Sequence, residues 1–154
     1  MATIKDVLAT SELFKGLTEE ELGKVETLSR VEIYEKDTPL FVEGATAENF
    51  FVVELGRVAM DMTIHQSSDV VKHVTVETIK NGQSCGFSAV KGTPVYTLTA
   101  RAVEPVRVIA IDGKRLYNVL QENPGMGYRV MSRMASAISA RLRNIRTTIQ
   151  FFNR

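Results

Sequence analysis

Few residues in this chain are of types and spacings that do chemistry, and most lie in one stretch, Gly82 to Ala102 (GQSCGFSAVKGTPVYTLTARA). The stretch predicts a strand end, a tight turn, a short helix and a return strand. Gly82 and Gly86 bracket the turn. Glycine lets a bound group come close to the backbone, because nothing projects from its Cα. Ser88, Ala89 and Val90 can then start a helical turn whose free N–H groups point outward, an arrangement that attracts anions, phosphate above all. Gly92-Thr93-Pro94 ends the turn, and the β-rich run Val95 to Thr99 leads away. Cys85 is the lone cysteine and stands close to the helical turn, where a thiolate is favoured, but no histidine is near it in sequence. His65 and His73 are the only histidines and fall near one hairpin. A metal site wants three or four ligands, so neither a metal centre nor a catalytic constellation is expected, and both histidines are expected at the surface.

The whole chain bounds the function class. At 154 residues it is expected to be one domain, spanning 1–154, long enough to bury a core without disulfides. Hydrophobic content of 44% and charged content of 24% suit a soluble globular protein. The formal net charge of +1 gives no general attraction to a polyanion. A single cysteine excludes an intramolecular disulfide and suits a reducing compartment. The N-terminus lacks an apolar signal core, and no apolar run approaches a membrane span. A cytoplasmic protein without membrane partners is expected.

Three kinds of segment must position the Gly82–Ala102 stretch. Residues 1–30 predict helix: Thr18 and Glu21 form a capping-box pattern, followed by Leu22, Val25 and Leu28 on one face. Leu13, Phe14 and Leu17 precede the cap and should pack beneath it. Residues 31–111 predict short strands at Val31–Tyr34, Thr38–Val42, Phe50–Val53, Val58–Ile64, Val70–Ile79 and Val103–Ile111, separated by turn residues. Many short strands at this spacing indicate an antiparallel jelly-roll or closed barrel. Residues 114–150 predict a short helix over Lys114–Glu122, a break at Asn123-Pro124-Gly125, and a long helix from Met126 to Ile149. The expected fold is mainly β, with helices at both ends.

The order Gly82, Gly86, Ala89-Val90, Gly92-Thr93-Pro94, Thr99 and Ala102 resembles the phosphate-binding cassette of cyclic-nucleotide-binding domains, the sensor domains of catabolite activators, cyclic-nucleotide-dependent kinases and gated channels. The Leu13-Phe14, Leu17, Glu20-Glu21-Leu22 lead-in and the turn glycines Gly44 and Gly56 resemble the same family. The resemblance covers nearly the whole chain. It implies a jelly-roll sensor whose pocket is formed by Cys85, Gly86, Phe87, Ser88, Ala89, Val90, Tyr96, Thr97 and Thr99 with the long helix as lid. The departures fall where ligand chemistry is made. The family's aromatic before the second glycine is Cys85. Its glutamate, which holds the ribose hydroxyl, falls on Phe87. Its arginine, which pairs with the cyclic phosphate, falls on Tyr96 or Val95, because the segment is one residue longer than usual. Phe87 cannot accept a hydroxyl bond, and a buried phosphate wants a guanidinium's bidentate fork.

On the long helix Met131, Ala135, Ile138, Leu142, Ile145 and Ile149 are spaced 4-3-4-3-4, a heptad seam expected to pair two copies of the chain. In that register Arg141 takes a flanking g position and Arg146 the following e position, so like charges approach across a parallel pair. The helix also carries Arg129, Arg133, Arg143 and, near its end, Arg154, expected mainly as a solvated face. The family's transcription factors append a helix-turn-helix domain after this helix. The chain ends at Arg154, so direct DNA binding is not expected. The expected function is a regulatory, homodimeric, non-enzymatic sensor or adaptor. Its ligand would be a small molecule other than ordinary cyclic AMP, and no cofactor is implied. Cyclic-nucleotide or other anion binding through backbone amides, Thr97 and Thr99 is the alternative. A ligand-free module that binds a partner protein is the third.

Overall fold

Thr3 and Thr18 each open a helix with a reciprocal capping box: the threonine hydroxyl accepts from the backbone N–H three residues on, and the acid there, Asp6 or Glu21, accepts from the threonine N–H. The computed structural model describes residues 2–152. The two helices are α1, Ile4–Thr10, and α2, Glu19–Glu26. Leu13 and Phe14, in the turn between them, are fully buried. The strands follow as β1, Ser29–Tyr34; β2, Pro39–Phe41; β3, Asn49–Leu55; β4, Val58–His65; β5, Val71–Ile79; β6, Ser84–Cys85; β7, Thr99–Ala102; and β8, Val106–Asp112. The chain closes with α3, Gly113–Glu122, and α4, Pro124–Phe152. Pro124 is the first residue of α4, so the break at Asn123 lasts a single residue, and proline's missing N–H costs nothing at a helix start.

The strands form two four-stranded antiparallel sheets, ordered β1-β8-β3-β6 and β2-β7-β4-β5. This is the expected jelly-roll arrangement of facing sheets with helices at both ends. Successive side chains on a strand point to opposite faces. Phe51 and Val53 of β3 pack between the sheets with Val58, Met60, Ile79, Val108 and Ala110. Phe50 and Val52 point the other way, onto α1, α2, α3 and the first turns of α4, with Leu8, Phe14, Val25, Leu116 and Met126. The run Phe50-Phe51-Val52-Val53 is apolar throughout because both faces of the first sheet are covered. Among the described residues no helix is long and apolar enough to cross a membrane.

Two predicted strands differ from those observed. Val95–Thr99 is not a strand: Pro94 and Tyr96 bond across to the loop at 44–47 (Gly44 N–H to Tyr96 O, 2.8 Å; Tyr96 N–H to Ala45 O, 2.9 Å; Ala47 N–H to Pro94 O, 2.9 Å), leaving one isolated bridge, Thr46 to Val95. Val103–Ile111 is not continuous: β7 ends at Ala102, and β8 starts after the turn that contains Pro105.

Candidate ligand-binding site

Ser84 and Cys85 pair with Val52 and Phe51 of β3, so the cassette enters from the edge of the first sheet. Gly86 then turns the chain with φ +84°, the left-handed region, and a Cβ there would lie 2.8 Å from the Asn49 carbonyl oxygen. The helical turn is one 3₁₀ turn, Phe87–Ala89, starting one residue earlier than the sequence suggests. Its far end is seated against the start of α3: a Cβ on Gly113 would lie 2.1 Å from the Ala89 carbonyl oxygen, so only glycine permits this approach. Ser88 Oγ lies 3.3 Å from Thr93 Oγ1, which donates to the Val95 carbonyl at 2.8 Å and closes the return.

A cavity of about 390 Å³ opens between this cassette, the inner side of the second sheet and α4, within the usual range of small-ligand sites. Of the residues singled out from sequence, Cys85, Gly86, Phe87, Ser88, Tyr96 and Thr97 line it, and Ile138, Leu142 and Ile145 of α4 roof it. Ala89, Val90 and Thr99 do not line it. Val90 packs into the helical core, and the Thr99 hydroxyl accepts from the Glu43 N–H at 2.9 Å. Met131, Ala135 and Ile149 lie elsewhere on α4. Phe41, Met60 and Leu98 complete the apolar lining. The strands of Phe41 and Met60 were legible, but the common destination of the three side chains was not.

Two side chains at the diverged positions have structural work. Tyr96 lies flat on Phe41, with ring centroids 3.9 Å apart and 16° between planes. Its hydroxyl donates to the Asn49 carbonyl at 2.6 Å and accepts from the Asn49 N–H at 3.0 Å. The hydroxyl is therefore committed to backbone, and one ring face is already covered. Phe87 packs on Phe50 at 5.5 Å. Burial pushes the Cys85 thiol up to about 12 even though the Arg141 guanidinium pulls it down, so the thiol stays protonated at neutral pH.

Arg141 departs from the sequence expectation. As a g-position residue it belongs at the solvent edge of a dimer seam; instead it is 9% exposed and lines the cavity. Each of its three guanidinium nitrogens faces an oxygen from a different segment: Nη2 lies 2.8 Å from Glu12 Oε2, Nε 3.3 Å from Glu77 Oε1 of β5, and Nη1 donates to the Ser84 carbonyl. The guanidinium sits 5.5 Å over the Phe87 ring. The predicted like-charge approach of Arg141 to a partner helix is thus corrected, because its charge is spent inside its own chain. α4 lies along β5, with the Thr148 hydroxyl donating to the Val76 carbonyl at 3.2 Å, and this turns Arg141 inward. A hint was available: Ile138, Arg141 and Ile145 share one helix face at three- and four-residue spacing. Burial pushes the Glu77 carboxyl above its ordinary range, against the pull of Arg141 and Asn144.

The other arginines divide. Arg129 pairs with Glu21 of α2, Arg143 and Arg146 are exposed, and Arg154 lies outside the described residues. His73 Nδ1 lies 3.4 Å from Thr63 Oγ1 on the β4–β5 hairpin, which also carries His65. Among the described residues no group of three or more His, Cys, Asp or Glu is placed to hold a metal ion.

Comparison with known proteins bears on this arrangement. A sequence model of the cyclic nucleotide-binding domain matches residues 31–123, more than half of the chain. No curated protein sequence matches. Among solved structures, a Geobacter metallireducens protein named for cyclic-nucleotide binding is 29% identical, with 92% of this chain and 99% of that one covered and a TM-score of 0.76. A cyclic nucleotide-binding domain from Methylobacillus flagellatus is 19% identical over 96% of this chain and 80% of that one, with a TM-score of 0.77. The catabolite activator protein of Thermus thermophilus is 20% identical over 93% of this chain and 63% of that one, with a TM-score of 0.72.

Proposed function

The chain belongs to the cyclic nucleotide-binding domain family, and from that premise we propose that it is a non-enzymatic regulatory sensor or adaptor whose cavity takes a small ligand other than cyclic AMP. The observation that carries this is the cavity itself. It keeps the family's glycine-framed cassette under a long lid helix, but Phe87 lines it where the glutamate of the family pattern belongs, and neither Tyr96 nor Val95, the candidates for the arginine's place, is basic. The lining is mostly apolar, with few polar groups, as in small-molecule sites generally. The alternative, cyclic-nucleotide binding through backbone amides and threonines, keeps Thr97 but loses Thr99, which faces Glu43. The free thiol fits a cytoplasmic setting. A partner protein would carry the output.

A thermal-shift survey of the purified chain against nucleotides and acidic metabolites tests the proposal. A ligand at about a hundred times its dissociation constant stabilises by roughly 2.7 kcal/mol, which raises the midpoint of a domain this size by about 5–10 °C. A survey that moves the midpoint for no compound favours the ligand-free interaction module instead.

We propose further that two copies pair through α4. Ile138 is 42% and Leu142 66% exposed, and Tyr128, one heptad before Ala135, is 76% exposed. Burying such side chains at about 25 cal/mol per Å² contributes several kcal/mol to association. With Arg141 turned inward, only Arg146 remains as a flanking like charge, and exposed charge pairs count for only a few tenths of a kcal/mol. The wild-type chain should sediment as a dimer at micromolar concentration, and Ile138→Asp with Leu142→Asp should give a folded monomer. A monomeric wild type at that concentration removes the dimer from the proposal.

A further inference from the structure

The charges around the cavity are few and unevenly placed. Arg141 from α4 and Lys91 from the cassette line it, against one acid, Glu77 of β5. Lys91 Nζ is held 4.9 Å over the Tyr117 ring. The rest of the lining is apolar, with Phe41, Met60, Leu98 and Leu142, or hydroxyl-bearing, with Ser88 and Thr97. We infer that the cavity's ligand is an amphipathic anion, its apolar body against Met60, Leu98 and Leu142 and its acidic group bound by Arg141 in exchange for Glu77. This rests on the cavity being the ligand site, as proposed above.

The exchange follows from how Arg141 is held. A guanidinium offers five N–H groups, whereas one oxygen faces each of the three nitrogens here. Of the two carboxylate contacts, the one to Glu77 is the longer, 3.3 Å against 2.8 Å for Glu12. Glu77 also lines the cavity, where an entering group can reach it. Glu77 faces Arg141 and Asn144 from α4 and Glu12 from the segment after α1, and its burial favours the neutral acid, so releasing its partner is the least costly of the three exchanges. A neutral ligand gains nothing from the buried guanidinium. A cation meets two like charges, Arg141 and Lys91. A small hydrated anion without an apolar body leaves Leu98 and Leu142 unmatched. An anion with an apolar body meets all three demands, and it reads Arg141 as a binding residue supplied by the lid helix rather than by the cassette.

Two dyes that share a ring system separate charge from shape: 1-anilinonaphthalene-8-sulfonate, a monoanion, and N-phenyl-1-naphthylamine, which is neutral. Both are titrated by fluorescence into the full chain. Leu98→Trp, which fills the cavity, should abolish binding of both. Arg141→Gln should weaken the sulfonate about tenfold or more, the worth of one charge-assisted bond, and leave the neutral dye within about twofold. Glu77→Gln, which removes the competing carboxylate but keeps the site's shape, should tighten the sulfonate several-fold. It alone decides the matter if Arg141→Gln does not fold. Arg143→Gln, on the exposed face of the same helix, should change neither. Equal effects of Arg141→Gln or Glu77→Gln on the two dyes, or a weaker sulfonate in Glu77→Gln, overturn the inference. So does neutral-dye binding with no sulfonate binding, which leaves the cavity standing as a ligand site. Failure of both dyes to bind, or their indifference to Leu98→Trp, overturns the cavity as a ligand site and this inference with it.

Discussion

Arg141→Ala is expected to lower the unfolding free energy by about 2–3 kcal/mol at pH 7, and the midpoint of thermal unfolding by roughly 4–12 °C. The side chain is 10% exposed, and its partners Glu77 and Glu12 are 11% and 25% exposed. Removing the guanidinium leaves two carboxylates near each other without their counter-charge. Breaking a buried ion pair from one side usually costs about 3–5 kcal/mol, and the quarter exposure of Glu12 sets the lower figure here. The Ser84 carbonyl also loses its donor. The cost should depend on pH, with a definite sign. Glu77 titrates above its ordinary 4.5 in the folded chain. The folded state therefore holds a proton that the unfolded state releases, and stability falls as pH rises from about 4.5 through the folded value. Loss of Arg141 removes a group that pulls that value down, so the fall becomes longer and the penalty grows from acid toward neutral pH. Urea unfolding at pH 4 and pH 7 checks this: a penalty equal at both pH values, or larger at pH 4, contradicts the account. Arg141→Met combined with Glu12→Gln and Glu77→Gln should recover most of the stability, because replacing a whole buried ionic cluster is far cheaper than breaking it.

Arg141 also marks where sequence stops being informative. Interactions that are local in the chain were legible. The Thr18–Glu21 capping box, the apolar faces of α2 and α4, and most strands of the jelly roll follow from side chains within a few residues of one another. The glycine pattern of the cassette placed the turn to within one residue. Arg141 instead finds Glu12 and Ser84, 129 and 57 residues away. A helical register that explains Ile138 and Leu142 as a pairing seam gives no sign that α4 lies along β5. For the same reason the Val95–Thr99 run read as a strand: its composition is right, but its backbone partner is an irregular loop at 44–47. The resemblance to the family's cassette implied Tyr96 as a pocket residue, yet the bonds of its hydroxyl to Asn49 depend on a strand 47 residues earlier.

Cyclic AMP and cyclic GMP are expected not to bind this chain at micromolar concentration. In the family pattern a carboxylate and a guanidinium hold the ribose and the cyclic phosphate, and such charge-assisted bonds contribute roughly 1.5–3 kcal/mol each. Losing both weakens binding by about 3–6 kcal/mol, or two to four powers of ten. The structure removes the obvious substitutes. Phe87 presents a ring packed on Phe50, and the Tyr96 hydroxyl is already doubly bonded to Asn49. Arg141 lines the cavity, but it sits over Phe87 on the lid side and is held by Glu12 and Glu77. The amides at the start of the 87–89 turn and the Ser88 and Thr97 hydroxyls remain, and they suit a phosphate without discriminating a cyclic ribose. Rebuilding the site must spare Tyr96, because an arginine there would orphan the backbone groups of Asn49. Thr97 lines the cavity and is exposed, so Phe87→Glu with Thr97→Arg returns both charges without disturbing that pair. The double variant should bind cyclic AMP at least about tenfold more tightly than the wild type. Calorimetry on the unmodified chain decides the main point: a dissociation constant of about ten micromolar or tighter for either nucleotide, some −7 kcal/mol, would mean that backbone amides and hydroxyls suffice and that the cavity is an ordinary cyclic-nucleotide site.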